Sequence, residues 1–180
     1  DPQHRLFLQE VWRCIEDAGY APSEFSGRAV GVFVGAQFQD YQALIDQSQM
    51  PLNGHVATGN AHSMLPNRVS YILNFSGPSE AIDTACSSSL VAIHRAVNSI
   101  LSGESESAVA GGVSLAISPL SNLLAAQMGA LSEDGRCKTF DKDANGYVKG
   151  EGVGAIFLKR LSQAKKDGDS IYAVIKGSQV

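Results

Sequence analysis

Residues 79 to 101, SEAIDTACSSSLVAIHRAVNSIL, leave this chain few choices of fold. Glu80 to Thr84 reads as a short strand, preceded by the turn signal Gly77-Pro78. Leu90, Val91, Ile93, Val97, Ile100 and Leu101 recur at helical spacing and predict one buried face of a long helix. Gly103 follows the last of them, where a glycine stop belongs. Strand and helix therefore meet at a sharp corner at Cys86. Ser87, Ser88 and Ser89 fall in the first turn, where hydroxyls can satisfy free backbone N–H groups. A cysteine in that place sees the positive end of the helix and its free amides, which favour thiolate. The same amides could hold an oxyanion formed when a thioester carbonyl is attacked. Read from these residues alone, Cys86 is either a nucleophile or a small buried apolar residue.

The rest of the chain alternates helices and apolar strands. Residues 4–18 form an amphipathic helix with Phe7, Val11, Cys14, Ile15 and Ala18 inward, Trp12 at the edge of the core and Gly19 as the stop. Asp1-Pro2 suits its start. Residues 29–35 (AVGVFVG) predict a strand buried on both faces. A short helix at 38–47 ends at Met50-Pro51. A second helix, 58–74, buries Leu65, Val69, Ile72 and Leu73, with Pro66 in its first turns. Further strands are expected at 108–117, 152–161 and 171–179, a short helix at 120–130, a helical turn at 162–167, and a glycine-rich loop at 131–150. Gly111-Gly112 would let another backbone approach closely. Apolar strands alternating with helices define a layered α/β fold with helices on both faces.

Composition sets the outer bounds. The net charge of −4 gives no basic footprint for nucleic acid. No run of about 18 apolar residues is present to span a membrane. The three cysteines, at 14, 86 and 137, have no metal-type spacing and fit a reduced, cytoplasmic setting. Cys14 lies on a core stripe, and Cys137 is the main rival thiol. Asp141 to Val148 imitates a calcium loop, but position 12 is Gly152, Glu151 comes one residue early and no helical pattern flanks the loop, which argues against calcium. Asp83 is expected to pack or cap. Asn67-Arg68 reads as structural. His4, His55 and His62 are expected on the surface or in loops. His94 lies about 12 Å along the helix from Cys86, out of its reach.

The string DTACSSSLVAIHRAV resembles the active-site segment of β-ketoacyl synthase (ketosynthase) domains of modular polyketide synthases. DPQHR with EVWRCIEDAGY, GVFVG, PNRVSYILNFSGPS, AGGVSLAISP and DGRCKTFDKDANGYVKGEGVGAIFLKRL agree with it in order. The likeness is greatest to bacterial assembly lines served by a separate acyltransferase. It implies the thiolase-like fold, a layered α-β-α-β-α arrangement. Residues 1–180 would be one partial domain with most of its first half and the start of its second, lacking an N-terminal strand region and the C-terminal half. It implies Cys86 as the acyl-thioester nucleophile, with its own N–H in the oxyanion hole. The acyl chain would arrive on the 4'-phosphopantetheine of an acyl carrier protein and be condensed with a decarboxylated malonyl extender. No cofactor or metal is expected to be bound by the domain itself. Partners would be carrier-protein domains, other modules of the synthase and a second copy, with residues 79–85 near the dimer axis. The two histidines that such enzymes use for condensation belong to motifs resembling HGTGT and NxGH, which these 180 residues lack. Two alternatives stay open: a non-elongating ketosynthase that only transfers chains, and a non-catalytic partner subunit, which would lack the cysteine.

Overall fold

The computed structural model describes residues 1–180 except Met50 and Leu52. The end of the second helical segment, expected at Met50-Pro51, therefore lies partly outside the described residues. At the centre is β1 (Val30–Gly35), all six residues buried. It pairs in parallel with β2 (Ser79–Ile82) on one side and β3 (Ser107–Ser114) on the other. β4 (Gly152–Lys159) runs antiparallel to β3, giving the order β2-β1-β3-β4. Alternation along β1 sorts the core into two layers. Val30, Val32 and Val34 pack with Phe7, Val11 and Ile15 of α1 (Pro2–Asp17) and with Leu65 and Val69 of α4 (Met64–Leu73). Phe33 points the other way, onto Ala92, Ala96 and Ile100 of α5 (Ser88–Ser102). Helices thus cover both faces of the sheet, as the apolar strands require.

α1 begins as expected: the Asp1 carboxylate accepts from the Gln3 amide, and Pro2 occupies the first turn. Its buried stripe reaches a turn further back than the apolar residues show, taking in Gln3 and His4. His4 is therefore a core residue and not a surface one. It continues the 4, 7, 11, 15 spacing that buries Phe7, Val11 and Ile15. Neither ring nitrogen has a partner among the described residues. Burial, then the nearby amino terminus, Arg68 and His62, push its pKa down to about 4. Trp12 is 46% exposed and donates to Glu16 one turn on, so it lies outside the core.

The helix expected at 58–74 is two. α3 (Gly54–Asn60) starts on the Asn53 side chain, which accepts from the His55 amide. α4 starts afresh at Met64, because Pro66 has no N–H to carry a continuous ladder through its turn. Arg68 donates to the Thr58 carbonyl (3.0 Å), tying the two helices together in the structural role expected of it. Ile72 is exposed rather than buried. α2 (Asp40–Ser48), α6 (Leu120–Gln127) and α7 (Leu161–Asp167) match their expected places. β3 stops at Ser114, short of residue 117. There the Leu115 amide turns to the Gln3 side chain and the Ala116 amide to Glu151.

Two corrections are larger. The face of α5 against the sheet is Ser88, Ala92, Ala96 and Ser99 with Ile100, not the stripe of large residues. Leu90 and Leu101 are 69% and 64% exposed. Small side chains let the helix settle close to β1 and β3, where Ala108 and Ala110 are equally small. Residues 171–179 form no strand: they pair with none, and a strand exists only through its ladder. Side chains anchor this segment instead, Tyr172 to Asp17 and Ser178 to His94. Just before it, Lys159 reaches Asp167 (2.6 Å) and Asp169 (2.7 Å), with Tyr20 bonded to Asp169.

Candidate active site

β1, β2 and β3 are parallel, so their carboxyl ends lie together, and β2 feeds the corner that carries Cys86. Crevices for ligands in α/β sheets open at such ends. A cavity of about 660 Å³ opens here, lined by Cys86, the end of β1 at Gly35 to Gln37, the end of β3, and Gly150 to Gly152.

The corner is an elbow with defined parts. After β2 the Asp83 carboxylate accepts from the Ala85 amide (3.0 Å), the capping role expected for it. Ala85 has φ +55°, in the left-handed region, which costs an L residue about 1–2 kcal/mol. A single 3₁₀ turn, Ala85–Ser87, carries Cys86, and α5 begins at Ser88. Cys86 thus sits one short turn ahead of the helix. Ser87 Oγ donates to the Thr84 carbonyl (2.8 Å). Ser88 Oγ accepts from the Thr84 amide (2.9 Å) and donates to the Ala85 carbonyl (2.6 Å). These hydroxyls bond backward into the elbow rather than forward into the helix, so the serine run serves the corner.

Two glycines seat the head of α5 on the sheet. A Cβ on Gly35 would lie 2.6 Å from the Ser89 nitrogen and 2.7 Å from the Ser88 carbonyl carbon. A Cβ on Gly112 would lie 2.9 Å from that of Ser89, and Gly112 pairs with Gly35 in the ladder. Gly111 serves the opposite face: its Cβ would lie 2.1 Å from the Gly154 carbonyl oxygen. The close approach expected at Gly111-Gly112 is therefore real, and Gly35 shares in it.

The three thiols are in different situations. Cys86 is exposed at the cleft. Cys14 is half-buried, and burial, followed by the Asp17 and Glu10 carboxylates, pushes its pKa up to about 11. Cys137 is exposed, but its sulfur accepts from the Val148 amide (3.1 Å). Among the described residues no histidine lines the Cys86 cleft. His94 bonds to Asn98 and Ser178, and His62 lies 3.5 Å from the Phe38 carbonyl. His55 is exposed at the head of α3. In the calcium-like loop, Asp141 accepts from the Asp143 amide, and Asn145 is engaged by Ser132 and Lys138. Among the described residues, no group of three or more His, Cys, Asp or Glu is placed to hold a metal.

Sequence reasoning missed two supports of the cleft. Gln3, 1% exposed, donates to the Phe38 carbonyl (2.9 Å) and accepts from the Leu115 amide (3.2 Å), joining the exits of β1 and β3. Asp40 accepts from the Ser118 amide and the Ser121 hydroxyl. Each is a polar residue at a helix start, a pattern that predicts capping and gives no hint of a longer reach.

A strand, a left-handed elbow and an exposed cysteine ahead of a helix, set over a cleft between strand ends, make up the candidate site. The family model for the β-ketoacyl synthase N-terminal domain matches residues 1–164, and the chain belongs to that family. Polyketide synthase PksN of Bacillus subtilis (strain 168) is 48% identical over all 180 residues, which make up 3% of that protein. A phenolphthiocerol/phthiocerol polyketide synthase of Mycobacterium tuberculosis is 44% identical over the same 180 residues, 12% of its length. Among solved structures, the ketosynthase from module 6 of the bacillaene synthase of Bacillus subtilis 168 superposes with a TM-score of 0.87 at 43% identity, over 96% of this chain and 29% of that one. The chain thus spans less than a third of the solved ketosynthase chain and a small part of the curated relatives. Its fold is the thiolase-like fold of ketosynthase domains, as the resemblance implied.

Proposed function

We propose that this chain is part of a ketosynthase domain of a modular polyketide synthase, with Cys86 as the acyl acceptor. The observation that carries the reading is the exposed Cys86 on a left-handed elbow, at the head of α5 and open to the cleft. The Cys86 thiolate attacks the carbonyl of an acyl thioester borne on the phosphopantetheine arm of a carrier protein. The N–H groups at the head of the helix stabilise the oxyanion. The carbon–sulfur bond to pantetheine then breaks, and the departing thiolate takes up a proton. The acyl group is left as a thioester on Cys86. A malonyl-type extender loses carbon dioxide, and its enolate attacks the acyl carbonyl and expels the Cys86 thiolate. The product is a β-ketoacyl chain two carbons longer. The histidines for that second step would come from residues outside these 180, so this chain by itself can at most be acylated and cannot condense.

The same reading takes carrier-protein domains and further modules as partners. It also takes a second copy, with residues 79–85 near the two-fold axis. In support of the dimer, β2 is an edge strand, and the two helices packed against it carry exposed apolar residues, Tyr71 on α4 at 86% and Leu90 on α5 at 69%. Three free cysteines suit the reduced cytoplasm, and among the described residues no helix is long and apolar enough to cross a membrane. Extender units supplied by a separate acyltransferase complete the proposal.

The experiment is to supply the full-length protein with an acyl-pantetheine thioester and a malonyl carrier protein. Release of carbon dioxide with a β-ketoacyl product, lost in Cys86→Ala, is expected. Acylation without condensation would replace this reading with a chain-transferring one. No acylation of the folded protein would overturn it in favour of a non-catalytic subunit.

A further inference from the structure

We propose that Ser88 is the positioning residue of this elbow: its buried hydroxyl holds Ala85 left-handed and so aims Cys86 into the cleft. The inference rests on the reading of Cys86 as the acyl acceptor. Four side-chain groups bond within the elbow, those of Asp83, Thr84, Ser87 and Ser88. Only Ser88, 6% exposed, is buried, while the other three are open to solvent. Water can replace an exposed hydroxyl at little cost, but not a buried one. Ser88 also bonds on both sides of the strained residue, accepting from the Thr84 amide before it and donating to the Ala85 carbonyl after it. Its place is fixed from below, since a Cβ on Gly35 would lie 2.9 Å from the Ser88 Cβ. The strand end thus sets Ser88, Ser88 sets Ala85, and the next residue is the cysteine. In Ser88→Ala the Thr84 amide and Ala85 carbonyl lose the buried hydroxyl that holds both, and Ala85 relaxes toward right-handed φ. The sulfur then moves relative to both the cleft and the helix amides.

The test uses the full-length protein as wild type, Ser88→Ala, Ala85→Gly and the double variant. The first readout is the acylation rate with an acyl-pantetheine thioester, separated into maximal rate and half-saturating concentration. The second is the pH profile of Cys86 alkylation by iodoacetamide. Ser88→Ala should lower the maximal rate about 10- to 100-fold with the half-saturating concentration unchanged, as misplacement of a reacting group does. Its alkylation by iodoacetamide should be slower across the profile. Adding Ala85→Gly should restore much of the rate, because glycine adopts φ > 0 without steric cost. A merely structural hydroxyl would not be rescued in that way. Should Ser88→Ala fail to fold, Ala85→Val replaces it, since a β-branched residue resists the left-handed region, and it should show the same loss. A wild-type maximal rate in Ser88→Ala or Ala85→Val overturns the proposal, as does a loss that Ala85→Gly does not relieve. If the wild type accepts no acyl group, the proposed function fails, while the alkylation profiles still decide the role of Ser88.

Discussion

The elbow at residues 83–88 and the loop at 131–150 each carry an exposed cysteine near a left-handed residue that is not glycine. In the elbow it is Ala85 with φ +55°, and in the loop Phe140 with φ +62°. What surrounds the two differs. The elbow is built on the end of a strand and the head of a 15-residue helix, wedged against glycines of the central sheet. The loop is held by its own side chains, with Lys138 bonded to Asp134 and Asn145, and Ser132 to both. Its thiol is itself one of the ties, accepting from Val148. Exposure and backbone strain alone therefore do not mark a nucleophile. What separates Cys86 is that the hydrogen bonds of its elbow tie the neighbouring residues to one another and leave the sulfur out.

The contrast breaks most easily at Gly35. Alanine there would collide with the backbone of Ser88 and Ser89, lifting α5 off the sheet, which should destabilise the fold by about 1–3 kcal/mol. Acyl transfer to Cys86 should fall about 100-fold, the penalty of a misplaced reacting group. Gly177→Ala, away from the cleft and with nothing within 4 Å of the new methyl, should change neither. Thermal melts and acylation rates of the two variants separate these cases.

This sheet–helix contact was only half legible in the sequence. Gly111-Gly112 is a visible pair, but the need for Gly35 depends on which helix lands on it, and that is a tertiary fact. Likewise the spacing of Leu90, Val97 and Leu101 points to a true helix and to the wrong buried face. Periodicity weighs large apolar side chains, whereas close packing on Ala108 and Ala110 selects small ones. His4 shows the converse. Its position on the stripe is readable, and its polarity argues it off the core. The strand expected at 171–179 does not form because alternation shows a propensity and cannot name a partner. The corner at Cys86 is legible because it is local: a turn signal, a short strand, a serine-rich first turn and a glycine stop all lie within about one supersecondary unit.

Smaller effects sharpen the comparison from the side of the loop. Cys137→Ala removes the acceptor of the Val148 amide and should cost about 0.5–1.5 kcal/mol, read from denaturant unfolding, with acyl transfer unchanged. If acyl transfer fell with Cys137→Ala, the two thiols would not be as different as their surroundings imply.

Acid should loosen the loop. Asp134 is held down to about 2, from an ordinary 3.8, by the Lys138 ammonium and the Ser132 hydroxyl. A carboxylate lowered in the fold contributes fully above its unfolded pKa, and the contribution is lost as pH falls through the folded one. The Val148 amide should therefore exchange faster with solvent as pH drops from about 4 toward 2, after correction for intrinsic rates. An unchanged protection factor, followed by NMR, would show that the Asp134–Lys138 pair does not hold the loop.

The smallest effect is expected at Arg95. It pairs with Glu80 through two hydrogen bonds, joining α5 to β2 from outside. Both side chains are substantially exposed, so Arg95→Ala should cost about 0–1 kcal/mol. A larger loss in a melt would mean that the elbow depends on this outer tie as well as on its glycine seat.

The most direct measurement places the acyl group. The full-length protein is treated with a limiting amount of an acyl-pantetheine thioester, and the adduct is located by intact mass and peptide mapping across Cys14, Cys86 and Cys137. A single adduct on Cys86 is the predicted result. An adduct on Cys137, or one divided between the two exposed thiols, would contradict the claim that the elbow makes the nucleophile.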